Sequence, residues 1–190
     1  MYKVLTADEA VSLVPDGSTV LVNPVPSEEL FAAFGRMFEQ TGKPRGLTVV
    51  FAAGLGPFSY SRRGMNHFAY PGMVKRVIAG HVGLNYAMAR LIAEDAVEAY
   101  NLPQGVLSQL YREIAAHRPG IITQVGLGTF VDPRLDGGKM NARTRQCEDL
   151  VEVVELGGRE HLWYKTFPVH VGLVRGTTVD PQGNITVEDE

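Results

Sequence analysis

The feature that most constrains the fold is an alternation of short apolar runs with helical patterns along the first two thirds of the chain. Residues 47–53 form a nearly continuous apolar run, which is typical of a strand buried on both faces of a parallel sheet. Strands that alternate with helices favour an α/β fold with a mostly parallel central sheet flanked by helices. The pattern predicts strands at 19–22, 47–53, 74–79, 97–100 and 121–125, and helices at 6–14, 27–42, 85–94 and 103–118.

Residues of suitable type mark the ends of the first two predicted helices. Thr6 and Glu9 have the spacing of a capping box, which starts a short helix. Ser27 is a good N-cap for the next helix, and the acidic Glu28 suits the positive end of its dipole. Gly42 suits the left-handed conformation in which many helices end.

The pattern changes after residue 148. Residues 150–156 and 161–166 flank Gly157-Gly158, which predicts a C-terminal β-hairpin region, and residues 169–174 form a further apolar strand. The preceding stretch, 126–147, is helix-poor and long for a loop in a compact domain. Loops of that length usually have a function.

Length, charge and cysteine content exclude several functional classes. A chain of 190 residues is enough for one ordinary domain, and its net charge of −3 gives no basic surface, so nucleic acid is not an expected partner. The single cysteine, Cys147, cannot form an internal disulfide, and the five histidines lack metal-ligand spacing, so no metal is expected. No apolar run approaches the ~20 residues of a membrane helix, and a reducing, cytoplasmic compartment is predicted.

Gln104 is the first candidate site residue. It stands where a predicted strand ends and a helix begins, and ligands of open α/β sheets bind beyond the carboxyl ends of the strands. Its uncharged amide can both donate and accept a hydrogen bond there. A local capping role fits the same position equally well.

The second candidate segment follows the strand at 121–125. This strand ends in Gly126-x-Gly128-Thr129, so backbone amides and a hydroxyl could face a ligand. Arg134 and Lys139 add positive charge that could meet phosphates. A solvated loop with turn glycines is the alternative interpretation.

Both segments resemble signatures of the family I coenzyme A transferases, in particular the propionate or acetate type whose two halves are fused in one chain. The runs Leu-Pro-Gln-Gly-Val-Leu at 102–107, Gly-Leu-Gly-Thr-Phe-Val-Asp-Pro-Arg at 126–134 and Gly-Gly-Lys-Met-Asn at 137–141 occur in the family's order. Residues 79–83 and 175–184 match as well, and the similarity extends from Leu5 to Glu188.

The resemblance implies a CoA-transferase fold in each of two similar halves and coenzyme A as a substrate. In the family, a glutamate of the second half attacks an acyl-CoA thioester, and a glutamyl anhydride and then a glutamyl-CoA thioester form before a free carboxylate takes over the CoA. Gln104 is the position that helps to place the reacting carbonyl beside this nucleophile. The resemblance assigns substrate or CoA binding to the glycine-rich loop and the residues after it: Gly126, Gly128, Thr129, Phe130, Arg134, Lys139 and Asn141.

The chain departs from the family pattern in two respects. It resembles only the first half, so residues 1–190 are interpreted as a single N-terminal domain, incomplete at its C-terminal end and without the nucleophilic glutamate. In addition, residues 23–27 contain no glycine where the family usually has a glycine-rich loop, which affects the near wall of the CoA channel.

These departures determine the expected partners and the alternatives. The expected partners are acyl-CoA, short carboxylates and the glutamate-bearing second half or subunit, within an oligomer. One alternative function is a catalytically silent acyl-CoA-binding or regulatory module of the same fold. Another is a sugar-phosphate isomerase, a group that shares the fold but finds no support in the motifs of this chain.

Overall fold

The computed structural model describes residues 3–22 and 27–187, in which helices and strands alternate as the sequence predicts. In chain order the elements are α1 (Ala7–Ser12), β1 (Thr19–Val22), α2 (Glu28–Thr41), β2 (Leu47–Phe51), a 3-10 helix (Gly64–Phe68), β3 (Val74–Ala79), α3 (Tyr86–Ala93), β4 (Glu98–Asn101), α4 (Gln104–Ala115), β5 (Gly120–Thr123), α5 (Ala142–Arg145), β6 (Val151–Leu156), β7 (Arg159–Lys165), β8 (Val171–Leu173), β9 (Thr178–Val179) and β10 (Ile185–Thr186).

A five-stranded parallel sheet forms the centre of the fold, with the order β4-β3-β2-β1-β8. Every residue of β2 is buried, which confirms that the apolar run at 47–53 contains a strand covered on both faces. Val49 and Phe51 belong to an apolar cluster with α2 and α3, whereas Val50 belongs to a second cluster with Leu107 and Leu110 of α4. Neighbouring residues of β2 thus point to opposite faces, and helices cover both.

The helix ends follow the expected chemistry with one exception. The Thr6 side chain accepts from the Glu9 amide and the Glu9 carboxylate accepts from the Thr6 amide at 2.8 Å, which confirms the capping box. Gly42 ends α2 in the left-handed conformation with φ of 70°. Ser27 precedes α2 as predicted, but its side chain makes no capping hydrogen bond.

The strand predicted at 121–125 lies outside the parallel sheet, which corrects the sequence interpretation. As β5 it pairs antiparallel with β7, in a separate sheet of order β5-β7-β6. The place beside β4 is already taken, because Lys139 pairs antiparallel with Tyr100 and the Asn101 amide donates to the Gly138 carbonyl at 2.7 Å. Apolar periodicity marks a strand, but it does not say which strand edge is free.

The C-terminal region contains the predicted hairpin. β6 and β7 pair from Val151 with Tyr164 to Leu156 with Arg159, and they are joined by Gly157 and Gly158, both with positive φ. Positive φ at both central residues is what a tight hairpin turn requires. The strand predicted at 169–174 is shorter, since β8 spans Val171–Leu173 beside β1.

Candidate functional site

The carboxyl ends of β2, β3 and β4 lie side by side, because these strands are parallel neighbours. Ala79 of β3 is opposite Asn101 of β4, so Gly80 and the start of α4 meet directly beyond the strand ends. A β-carbon placed on Gly80 would lie 3.0 Å from both Cα and Cβ of Gln104. The missing side chain of Gly80 therefore lets α4 begin close to β3, and the predicted position of Gln104 at a strand-to-helix junction is confirmed.

The Gln104 side chain is exposed and makes no hydrogen bond with the part of the chain that the structure describes. Its backbone carbonyl accepts from the Ser108 hydroxyl at 3.0 Å, as in a regular helix turn. Pro103 occupies the N-cap position of α4 without a side-chain capping bond. The alternative role of Gln104 as a local cap thus has no supporting contact among the described residues.

Asn101, which the sequence analysis did not single out, holds this junction together. Its side-chain amide donates to the carbonyl oxygens of Ala79 at 3.0 Å and Gly80 at 2.9 Å. These bonds join the ends of β3 and β4 and fix the backbone of Gly80 next to Gln104. An amide side chain as the last residue of a buried strand is the only signal of this role in the sequence.

The Gly126–Phe130 segment is a tight turn, which the Thr129 amide closes by donating to the Gly126 carbonyl at 3.0 Å. Gly126 has φ of 96°, and a β-carbon there would collide with the Tyr164 hydroxyl and with Val131. The Thr129 hydroxyl donates to the Gly126 carbonyl at 2.7 Å. The Phe130 side chain, by contrast, is 51% exposed. Of the predicted binding residues in this turn, Phe130 has an exposed side chain, whereas Thr129 uses its hydroxyl within the turn; ligand binding stays a prediction for both.

Asp132 organises the loop from the inside. It is 1% exposed, and its carboxylate accepts from the Gly128 amide at 2.9 Å and from the Arg134 amide at 3.0 Å. The Arg134 guanidinium also donates to both carboxylate oxygens. These hydrogen bonds, with the Arg134 side chain as the largest cause, hold the pKa of Asp132 well below its usual range.

The two cations expected to meet phosphates both have internal acidic partners. Arg134 bridges Asp132 and Glu160, the latter at 3.0 Å, and its side chain is 51% exposed. The Lys139 ammonium donates to the Cys147 carbonyl at 2.8 Å and lies 2.6 Å from the Asp149 carboxylate, and its side chain is only 9% exposed. These contacts give both residues a role in holding the loop, and phosphate binding stays a prediction for them.

Asn141 is also fully used within the fold. Its side-chain oxygen accepts from the Thr144 amide at 3.0 Å as the N-cap of α5. Its side-chain nitrogen donates to the carbonyls of Ile92 at 2.8 Å and Val97 at 2.9 Å. These bonds attach α5 to the turn between α3 and β4, and a contact of Asn141 with CoA remains a prediction.

A second loop at the carboxyl end of the sheet follows β2 and is built around glycines. A β-carbon on Gly56 would collide with the Asn85 side-chain oxygen and the Leu84 carbonyl. The Asn85 side chain is fully buried, and neither polar atom of its amide has a hydrogen-bond partner among the described residues. The next element after β2 is the 3-10 helix Gly64–Phe68, so Gly54-Leu55-Gly56 is a turn from a strand into a loop. In dinucleotide-binding folds, the glycine-rich turn leads directly into an α-helix, and this turn does not.

Three further expectations concern residues 23–27, metal binding and membrane-spanning helices. The glycine-free segment 23–27 lies outside the described residues except for Ser27. Over the described residues, no group of three or more His, Cys, Asp or Glu side chains is placed to hold a metal ion. In the same part of the chain, no helix has the length and apolar character needed to cross a membrane.

Comparison with known proteins identifies the same family that the motifs resemble. The family model described as "Coenzyme A transferase" matches residues 4–190. The chain is 47% identical to the caffeate CoA-transferase of Acetobacterium woodii over 100% of the chain and 36% of that protein. It is 41% identical to the acetate CoA-transferase YdiF of Escherichia coli K12 over 98% of the chain and 35% of that protein.

Solved structures agree with the sequence matches. Crystal structures of the acyl-CoA transferase YdiF from Escherichia coli O157:H7, one of the apoenzyme and one of a thioester complex with CoA, each superpose with a TM-score of 0.91. Each is 40% identical to this chain. The superposition includes 98% of this chain but only 36% of the YdiF chain. The chain thus spans little more than a third of the length of these relatives. The match over 4–190 and the shared fold show that the chain belongs to the coenzyme A transferase family.

Proposed function

We propose that this chain is the N-terminal part of an acyl-CoA:carboxylate CoA-transferase, which moves CoA between a short-chain acyl-CoA and a free carboxylate. The observation on which the proposal rests is the unpaired, exposed amide of Gln104 next to Gly80 at the carboxyl end of the parallel sheet. The relatives named caffeate and acetate CoA-transferase support this reaction class.

The proposed reaction is a covalent exchange that needs a nucleophile from outside this chain. A glutamate carboxylate of the second half or subunit attacks the thioester carbonyl. The CoA thiolate departs, and an acyl-glutamyl anhydride forms. The thiolate then attacks the glutamyl carbonyl, which releases the acyl group as a carboxylate and forms glutamyl-CoA. The acceptor carboxylate then attacks the glutamyl-CoA thioester, which releases the thiolate and forms a second anhydride. The thiolate attacks the acceptor's carbonyl in this anhydride, so the new acyl-CoA leaves and the glutamate is free again.

The chain's own contribution is to place donors around the carbonyl oxygens that become negatively charged. In this role, Gln104 donates its amide N–H toward an oxyanion, and because it carries no charge it does not alter the charge of the neighbouring glutamate. The turn at Gly126–Phe130 lies against the acyl and pantetheine region, with the exposed Phe130 ring as its apolar contact. Arg134, Lys139 and Asn141 act mainly by holding this turn and the adjoining segment in place.

The test compares this chain alone with the complete enzyme that contains the glutamate-bearing half. With propionyl-CoA and acetate, the complete enzyme is expected to form acetyl-CoA, and borohydride added after acyl-CoA is expected to inactivate it by reducing the glutamyl thioester. The chain alone is expected to form no acetyl-CoA above a blank. A complete protein that binds acyl-CoA but neither transfers CoA nor becomes sensitive to borohydride would instead establish the silent acyl-CoA-binding module.

A further inference from the structure

His81 lies beyond the carboxyl end of β3, in the segment that joins this strand to α3. It follows Gly80, which contacts Gln104, and its ring lies between two other glycines. A β-carbon on Gly54 would lie 2.7 Å from His81 Nδ1, and one on Gly83 would lie 3.2 Å from Cε1 and Nε2. The glycines on both sides therefore leave room for the imidazole in this position, and a larger residue at Gly54 would displace it.

The His81 imidazole has no partner within the described residues, although it is exposed at the carboxyl end of the sheet. Two other histidines are engaged: His67 Nε2 lies 2.9 Å from the Glu28 carboxylate, and His170 Nδ1 accepts from the Thr19 amide at 2.9 Å. The cations of the neighbouring loop, Arg134 and Lys139, are paired with carboxylates. His81 is thus a hydrogen-bonding group without a partner among the described residues, and it lies one residue after the glycine that packs against Gln104.

We infer that His81 binds the carboxylate group of the free acid substrate, an inference that rests on the proposed function. An imidazole N–H donates to a carboxylate oxygen, and such a bond is stronger than one between neutral groups because the acceptor is charged. The acceptor acid enters, and the released acid leaves, as a carboxylate at the carbon that reacts beside Gln104. His81 would hold this group without taking part in the covalent steps, so its contribution should fall on the binding of the free acid.

The experiment measures steady-state kinetics of the complete enzyme with acetate and propionyl-CoA varied separately. For His81→Ala we expect the KM for acetate to rise about 10-fold, which is the size of effect that a lost hydrogen bond to a charged group produces. The KM for propionyl-CoA and kcat should stay within about threefold of the parental values. The lost hydrogen bond stabilises the bound acid equally in the ground state and the transition state, so its loss raises KM without lowering kcat. His81→Lys, which restores an N–H donor and adds a positive charge, should recover most of the acetate affinity.

The matched control is His117→Asn, because His117 is also an exposed histidine but lies beyond the opposite end of α4 from Gln104. Asparagine suits its φ of 54°. This variant should have parental kinetics. If His81→Ala has parental KM for acetate, or if both KM values rise by the same factor, the inference is wrong while the proposed function stands. If the unmodified complete enzyme transfers no CoA, the proposed function and this inference both fail.

Discussion

Gly80 lies directly against Gln104, since a β-carbon on the glycine would stand 3.0 Å from the Gln104 Cα and would collide with the Ala52 carbonyl oxygen. The same glycine accepts a hydrogen bond from the Asn101 side chain at 2.9 Å. Three neighbouring strand ends therefore meet at one residue that has no side chain. The position of the first residue of α4, Gln104, depends on this contact.

Gly80→Ala should both destabilise the protein and lower its activity. The added methyl group must displace the Ala52 carbonyl or the first turn of α4, and forcing an extra carbon into a packed site costs about 1–3 kcal/mol. Gly105→Ala is the control, because nothing lies within 4 Å of its added carbon and alanine favours a helix. The free energy of unfolding in urea and kcat should both fall for Gly80→Ala and stay at the parental values for Gly105→Ala. If the two variants behave alike, the close contact of Gly80 with Gln104 does not matter for stability or activity.

Gln104→Ala should lower kcat of the complete enzyme about 10²–10³-fold with little change in KM, because a donor to a developing oxyanion acts mainly in the transition state. Thermal unfolding should hardly change, since the side chain has no partner among the described residues. Gln109→Ala, on the exposed part of the same helix, is the control. A near-normal kcat for Gln104→Ala, or activity lost only in step with stability, would make its role structural.

Asp132→Asn should lower the free energy of unfolding by about 2 kcal/mol at neutral pH, because a buried carboxylate with several hydrogen bonds loses its charge. The pKa of Asp132 is lowered in the folded state, so its stabilisation is fully present above the unfolded pKa of about 4 and is lost as the pH falls through the folded value.

The pH dependence gives this prediction its sharpest test. The difference in stability between the parent and Asp132→Asn should be constant from about pH 7 to pH 5 and shrink below about pH 4. Asp136→Asn is the control, since Asp136 is exposed and its pair with Arg145 at 3.2 Å should contribute little. A difference that grows toward low pH would have the wrong sign and would exclude the proposed role of Asp132.

Lys139→Met should act on stability rather than on CoA affinity. The ammonium is largely buried between the Cys147 carbonyl and Asp149, so its removal should cost about 2 kcal/mol in urea unfolding. The KM for acyl-CoA should stay within about threefold. Lys75→Met, at an exposed position of β3, should change neither quantity. If Lys139→Met raises the KM for acyl-CoA about 10-fold at unchanged stability, Lys139 contacts the phosphates after all.

The sequence predicted those features that depend on local pattern. The buried strand at Leu47–Phe51 follows from an apolar run, the start of α1 from Thr6 and Glu9, and the junction at Gln104 from a strand followed by Pro103. In each case, residues close in the chain decide the conformation. The motifs of the resemblance gave the family itself.

The features that the sequence did not predict depend on contacts between distant residues. The positive charge of Arg134 is paired with Glu160 at 3.0 Å, and that of Lys139 is paired with Asp149 at 2.6 Å. Only the folded chain brings these acidic partners into contact with the two cations. The strand at Gly120–Thr123 joined the wrong sheet in the prediction because residues 138–140 occupy the edge of β4. Histidine spacing likewise gave no sign that the His81 imidazole has no hydrogen-bond partner among the described residues.

The pairing of residues 138–140 along β4 couples the release of this segment to the exposure of the β4 strand edge. The Asn101 amide donates to the Gly138 carbonyl and the Met140 amide donates to the Ala99 carbonyl at 2.9 Å, so release of this segment uncovers the strand edge. An uncovered parallel strand is a template on which another chain can add, and it invites aggregation. Hydrogen exchange should therefore show these two amides opening together, with loosening of the segment leading to self-association.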